Sequence, residues 1–192
     1  MINLILASSS PYRRALLERL EIPFECESPD IDESQRDDET PTELVIRLAE
    51  TKARAVAPAH PESLIIGSDQ VAVANDEILT KPGNHNNARD QLRKVSHQSV
   101  NFLTGLCVIN TASNRMQIDW INYTVHFRDL TEDELERYLL KETPYDCVGS
   151  FKSEGYGISL VQRFEGEDPT SLIGLPLIRL SEMLRNEHQD IP

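Results

Sequence analysis

At 192 residues, with 39% hydrophobic and 27% charged positions, the chain can bury a sizeable core in one domain or two small lobes, which excludes a disordered or low-complexity protein. Nineteen Lys and Arg against 32 Asp and Glu give a formal net charge of −13, which repels nucleic acid and obliges any small anionic substrate to find a local basic pocket or a divalent cation. Cys26, Cys107 and Cys147 are too few and too scattered for a disulfide framework or a zinc site, and no apolar run suits a signal-peptide core or a membrane span, so the expectation is a cytoplasmic protein without a membrane partner.

Ile2 to Ala7 reads as a first strand, and Ser8-Ser9-Ser10-Pro11 as the capped start of a helix reaching about Leu20. Phe24-Glu25-Cys26 is extended and Ser28 to Glu39 is an acidic loop. Thr40-Pro41-Thr42-Glu43 is a capping box opening a second helix, which puts Leu44, Leu48, Lys52 and Val56 on one inward stripe. Leu64 to Asp69 is a strand expected to end at its aspartate and to pair with Val71-Ala72-Val73; Asn75-Asp76 turns the chain into Ile78-Leu79, and Lys81-Pro82 follows. Asn87 to Lys94 is a short helix and Val100 to Ile109 a strand. Alternation of Ile121, Tyr123, Val125 and Phe127 with polar neighbours marks a half-buried antiparallel strand. Thr131-Glu132-Asp133-Glu134 caps a helix that ends before Pro144, Gly149 to Ser159 is irregular, and Gly174-Leu175-Pro176 introduces the last helix. The pattern predicts a single α/β domain over residues 1–192 with a mixed sheet.

Two strand ends carry the chemistry. Ser8 to Arg14 combines a helix N-terminus with hydroxyls and guanidinium groups, a setting that attracts phosphate. Gly67-Ser68-Asp69 delivers a carboxylate able to act as a general base or to hold Mg²⁺ beside phosphates. Lys52 and Lys81 would neutralise a triphosphate if they converge with Arg13, and Glu33 or its neighbours are the acidic-loop candidates for a cation; the simpler reading leaves these side chains solvated. Histidines at metal spacing, a P-loop, a GxSxG elbow and a dinucleotide fingerprint are all missing from the sequence.

Leu6 to Arg14, Ile31-Asp32-Glu33, Lys52, Gly67-Ser68-Asp69, Lys81-Pro82 and Gly174-Leu175-Pro176, in this order over nearly the whole chain, resemble the Maf family of nucleoside triphosphate pyrophosphatases. The resemblance implies an α/β fold of the Maf/ITPase-like kind, a single two-lobed domain with a long mixed sheet, flanking helices and a central cleft. It implies Mg²⁺ or Mn²⁺ as cofactor, Asp69 as proton acceptor, Ser8, Arg13, Lys52 and Lys81 around the phosphates, and Glu33 with Asp69 as metal ligands, and it leaves room for a homodimer. Specificity falls on Tyr12, Gln70 and Glu154, where the dTTP- and UTP-hydrolysing branch carries other residues and the branch acting on 7-methyl-GTP matches better. N7-methylation makes guanine cationic, which suits the aromatic face of Tyr12 and the carboxylate of Glu154, unless Glu154 instead pairs with Lys152. The alternatives are a dTTP or UTP pyrophosphatase of the same family and a nucleotide-binding regulator of cell division without turnover.

Overall fold

The computed structural model describes residues 2–191. Its elements in chain order are β1 (Asn3–Ala7), α1 (Pro11–Glu18), β2 (Glu25–Glu27), α2 (Pro41–Val56), β3 (Ser63–Ala74), β4 (Glu77–Leu79), α3 (His85–Val95), β5 (Ser99–Asn110), β6 (Arg115–Phe127), α4 (Glu132–Glu142), β7 (Val161–Glu165) and α5 (Leu177–Asn186). The seven strands form one mixed sheet in the order β2-β1-β3-β5-β6-β7, with β4 on β3. The α/β class with a mixed, helix-flanked sheet is therefore observed. Among the described residues no helix is long and apolar enough to cross a membrane.

Two compact units divide the chain. The first takes the residues up to Gln70, Thr104–Ile121 and those from Asp168 onward; the second takes Val71–Leu103 and Asn122–Glu167. In the first, β1 lies parallel to both β2 and β3. Successive side chains of a strand point to opposite faces, and here both faces are covered. Leu4, Leu6, Leu64, Ile66, Leu106 and Val108 pack with Leu16 and Leu17 of α1 and with Leu177, Leu180, Met183 and Leu184 of α5. Ile5, Ala7, Ile65, Cys107 and Ile109 pack with Ala49, Ala53 and Val56 of α2. A three-layer arrangement follows, and it explains why these strands read as continuous apolar runs.

The second unit packs α3 against α4. Its sheet face buries Phe102, Tyr123, Val125 and Phe127, and Phe151 sits with its ring centroid 5.1 Å from that of Phe127 and 5.9 Å from that of Phe102. The predicted alternation in the antiparallel strand is present, although β6 starts at Arg115, well before Ile121. The Thr40 and Thr131 capping boxes form as expected, and the Ser10 side chain accepts from the Arg13 amide at the start of α1.

One expected boundary is corrected. The strand does not end at Asp69 and fold back through Val71; β3 continues to Ala74, because no residue around Asp69 adopts a turn conformation. The expected turn at Asn75 and Asp76, both with positive φ, is where the hairpin lies, and it brings Ala72 to Ala74 antiparallel to Glu77 to Leu79. Asp69 is thus a mid-strand residue. β7, absent from the sequence-based reading, pairs antiparallel with the end of β6.

Candidate active site

Leu6 of β1 is paired with Ile66 of β3, so two residues beyond this level both strands present a serine, Ser8 and Ser68, with Asp69 next. Ser8 is buried, and its hydroxyl accepts from the Ser10 amide at 3.1 Å. Helix α2 crosses this level at very short range. A Cβ on Gly67 would lie 2.9 Å from the Ala53 amide nitrogen and closer still to the Ala49 carbonyl oxygen, and a Cβ on Gly105 would lie 2.5 Å from the Val45 carbonyl carbon. Only glycine lets the helix backbone come so near the sheet.

That approach brings Lys52 over Asp69. Lys52 is 5% exposed and Asp69 6%, and Lys52 Nζ donates to Asp69 Oδ1 at 2.7 Å. Glu33 Oε1, from the acidic loop, stands 3.0 Å from the same nitrogen. Among the described residues no hydrogen bond reaches Asp69 Oδ2, and an ammonium with three donors keeps one beyond its two carboxylates. A buried charge needs such partners, since removing either one strands the other.

Arg13 completes the cluster. Its Nε donates to the Gly174 carbonyl at 2.8 Å. Burial pulls the guanidinium below its ordinary pKa, while the charges of Asp69 and then Glu33 pull the other way, so Arg13 shares one electrostatic environment with both carboxylates. Ser68 shares its hydroxyl proton between the carbonyls of Gly105 at 2.8 Å and Gly174 at 2.9 Å. Arg14, by contrast, is a surface residue paired with Glu18 one helical turn on.

The segment supplying the Gly174 carbonyl is itself braced. Asp168 accepts from the Thr170 amide and hydroxyl at 2.9 and 2.5 Å and from the Ile178 amide at 2.9 Å, and Thr170 accepts from Leu177 at 2.7 Å. Gly174 has φ 115°, a left-handed conformation that favours glycine. Gln70 holds the same segment, its amide nitrogen lying 3.0 Å from Thr104 Oγ1, 2.7 Å from the Ser171 carbonyl and 3.2 Å from that of Leu172. Sequence reasoning quoted Gly174-Leu175-Pro176 but missed its role as anchor for Arg13 and Ser68, and it passed over Asp168. The one available signal was a glycine just ahead of a helix whose capping is otherwise unprovided.

The structure therefore gathers Lys52, Asp69, Glu33 and Arg13 in the first unit, with Ser8 on the adjoining strand end. Tyr12 is the second residue of α1 and half-buried. Lys81 and Glu154 belong to the second unit and are exposed, Lys81 just after β4 and Glu154 in the turn after Phe151. A concavity of about 450 Å³, lined by Ile31, Asp32, Ser34, Gln35, Arg36, Arg47 and Thr51, is not lined by the charged cluster, and its Arg47 is occupied by Glu39 at 2.5 and 2.8 Å.

A family model described as Maf-like protein matches residues 3–187. The chain belongs to the Maf family. Among its Maf relatives, a protein of Pseudomonas fluorescens (strain Pf0-1) named 7-methyl-GTP pyrophosphatase is 59% identical over 192 residues, all of both chains. A Pseudomonas aeruginosa protein of the same name is 57% identical over the same span. Among solved structures, the Staphylococcus aureus Ham1 protein aligns with TM-score 0.47 and 15% identity over 66% of this chain and 72% of that one.

Proposed function

We propose that this Maf protein hydrolyses 7-methyl-GTP to 7-methyl-GMP and diphosphate. The observation that carries the reaction is the Lys52–Asp69 contact, a buried acid and base held 2.7 Å apart beside the Ser8–Arg13 turn, and the full-length relatives named for this substrate support the choice of nucleotide. Water attacks the α-phosphorus, the bond from that phosphorus to the bridging oxygen breaks, and the oxygen leaves with the diphosphate. Asp69 orients the water through Oδ2 and takes its proton. Arg13 and the remaining Lys52 donor take up charge on the phosphates, Lys81 is assigned to the same task, and Ser8 offers its hydroxyl at the strand end.

Tyr12 and Glu154 are assigned to the cationic methylated base, the first through its ring face and the second through charge and hydrogen bonding. Gln70 is assigned to specificity through the segment it braces, because its amide nitrogen is already committed to Ser171 and Leu172.

The donor set suits a hard divalent cation. Glu33 and Asp69, which both contact the Lys52 ammonium, would offer the cation carboxylate oxygens, and Mg²⁺ takes one or two carboxylates together with substrate phosphates rather than an all-protein cage. When bound, Mg²⁺ or Mn²⁺ would neutralise phosphate charge and polarise the reacting phosphoryl group.

The test is diphosphate release from 7-methyl-GTP by wild type and Asp69→Asn. The variant should fold and lose about 10²–10⁴-fold in kcat, the usual span for a general base. Wild-type turnover in a folded Asp69→Asn protein would remove Asp69 from that role, and no diphosphate release by the wild type would overturn the reaction.

A further inference from the structure

Glu142 occupies an unfavourable place. It is the last residue of α4, where helix carbonyls already carry partial negative charge and a carboxylate is disfavoured. Its two oxygens are nevertheless fully engaged with the turn that follows Phe151. Oε1 lies 2.9 Å from Lys152 Nζ, and Oε2 accepts from the Tyr156 amide at 2.5 Å. Burial would raise its pKa, but the Lys152 and Tyr156 donors more than compensate and leave the carboxyl below its ordinary value.

Other groups of α4 grip the same turn. Tyr138 accepts from the Lys152 amide at 3.1 Å and donates to the Ser150 carbonyl at 3.1 Å, while Lys141 lies 3.9 Å above the ring of Tyr156. The turn in return accommodates the carboxylate, because a Cβ on Gly155 would sit 2.5 Å from Glu142 Oε2. Glu154, between Lys152 and Gly155, is exposed, with the Ser153 hydroxyl 3.4 Å from its Oε2. Lys152 answers to two carboxylates. Glu142 is the stronger influence on it and Glu154 the weaker, so the ammonium nearest in sequence to Glu154 has been drawn to the helix end. The pairing of Glu154 with Lys152, left open from sequence, is thus displaced by Lys152 with Glu142.

We propose that Glu142 is a positioning residue for base specificity: by taking Lys152 and pinning the Tyr156 amide, it keeps the Glu154 carboxylate un-neutralised and presented to a cationic nucleobase. This rests on the assignment of Glu154 to the methylated base. Glu142 itself touches neither substrate nor phosphate in this scheme. Its removal acts through Lys152, which would swing to the neighbouring carboxylate and cancel the charge that distinguishes 7-methyl-GTP from GTP.

The experiment compares kcat/KM for 7-methyl-GTP and GTP in wild type, Glu142→Gln, Lys152→Met, the Glu142→Gln/Lys152→Met double variant and Glu154→Gln, with melting temperatures confirming folding. Glu142→Gln should lower the 7-methyl-GTP to GTP ratio about fivefold, the size of one partly exposed ion pair, with GTP turnover unchanged. Lys152→Met should keep the wild-type ratio. The double variant should recover that ratio, which a purely structural role for Glu142 would not allow. Should Glu142→Gln fail to fold, Glu142→Asp, which keeps a charge but withdraws it from Lys152, is expected to lower the ratio in the same direction. A wild-type ratio in folded Glu142→Gln or Glu142→Asp, with Glu154→Gln defective, overturns the role of Glu142 alone; a wild-type ratio in Glu154→Gln overturns the assignment beneath it.

Discussion

Gly67→Ala tests whether the closeness of α2 to the sheet is what holds the Lys52–Asp69 contact. The added methyl would fall 2.9 Å from the Ala53 nitrogen and nearer still to the Ala49 oxygen, where real Cβ atoms keep at least 3.0 Å. Both obstacles are helix backbone, so no rotamer relieves them and α2 must retreat by about 1 Å. Lys52 lies between Ala49 and Ala53, and its 2.7 Å bond to Asp69 would stretch beyond hydrogen-bonding range. A misplacement of about 1 Å costs on the order of 100-fold in rate. Overpacking of this kind also costs about 1–3 kcal/mol, and each kcal/mol is worth roughly 2–4 °C in a chain of this size. The assay is diphosphate release from 7-methyl-GTP together with a thermal melt. Gly105→Ala supplies the control, since its methyl meets the same helix at Val45, about two turns before Lys52. It should lose comparable stability and much less kcat. Wild-type kcat in a folded Gly67→Ala protein, or equal kcat losses in the two variants, would refute the reasoning.

Two further outcomes follow from charge and burial. Hydrogen bonds from Arg47 hold the Glu39 carboxyl at about 2 instead of 4.5, so between these values the unfolded chain binds more protons than the folded one. Stability should rise with pH through that window and be lost as pH falls through it. Urea midpoints on its two sides should differ less for Glu39→Gln than for wild type; an equal difference would discount the pair. Burial pushes the Cys107 thiol up to about 12, whereas Cys26 is exposed. Iodoacetamide at mildly alkaline pH should therefore label Cys26 in the folded protein and Cys107 only after denaturation, and equal rates in the native state would contradict the buried position.

Periodicity exposed Lys52 from sequence, because an inward lysine at helical spacing with Leu44, Leu48 and Val56 stands out on an apolar stripe. The caps were legible for a similar reason: Thr40 with Glu43 and Thr131 with Glu134 are local chemistry, decided within four residues. Gly67 had no role of its own in the sequence pattern, whereas in the fold it admits a helix backbone, a non-local fact that no window of sequence contains. β7 escaped notice because its five residues lie at or near the surface and show no apolar alternation. Glu33 was legible only as one candidate among its neighbours, since one carboxylate in an acidic loop looks like the rest until the chain carries it to Lys52. The bracing of Arg13 by Gly174 was out of reach for the same reason, the partners standing 161 positions apart.

That separation has a consequence during synthesis. Neither unit is a continuous stretch of chain, and Ser8, Arg13, Lys52 and Asp69 all leave the ribosome before the whole of the second unit has been made. The carbonyl that anchors Arg13 arrives roughly 8–30 s later at ordinary elongation rates. Throughout that interval a nascent chain carries the acidic and basic side chains of the cluster without the segment that orders them, and it must wait for residues beyond Asp168 before its first helix can be locked. A premature stop between Asn110 and Gly174 would leave such a chain permanently, with the apolar strands β1, β3 and β5 made but α5 missing from one face, a product suited to degradation rather than to partial activity.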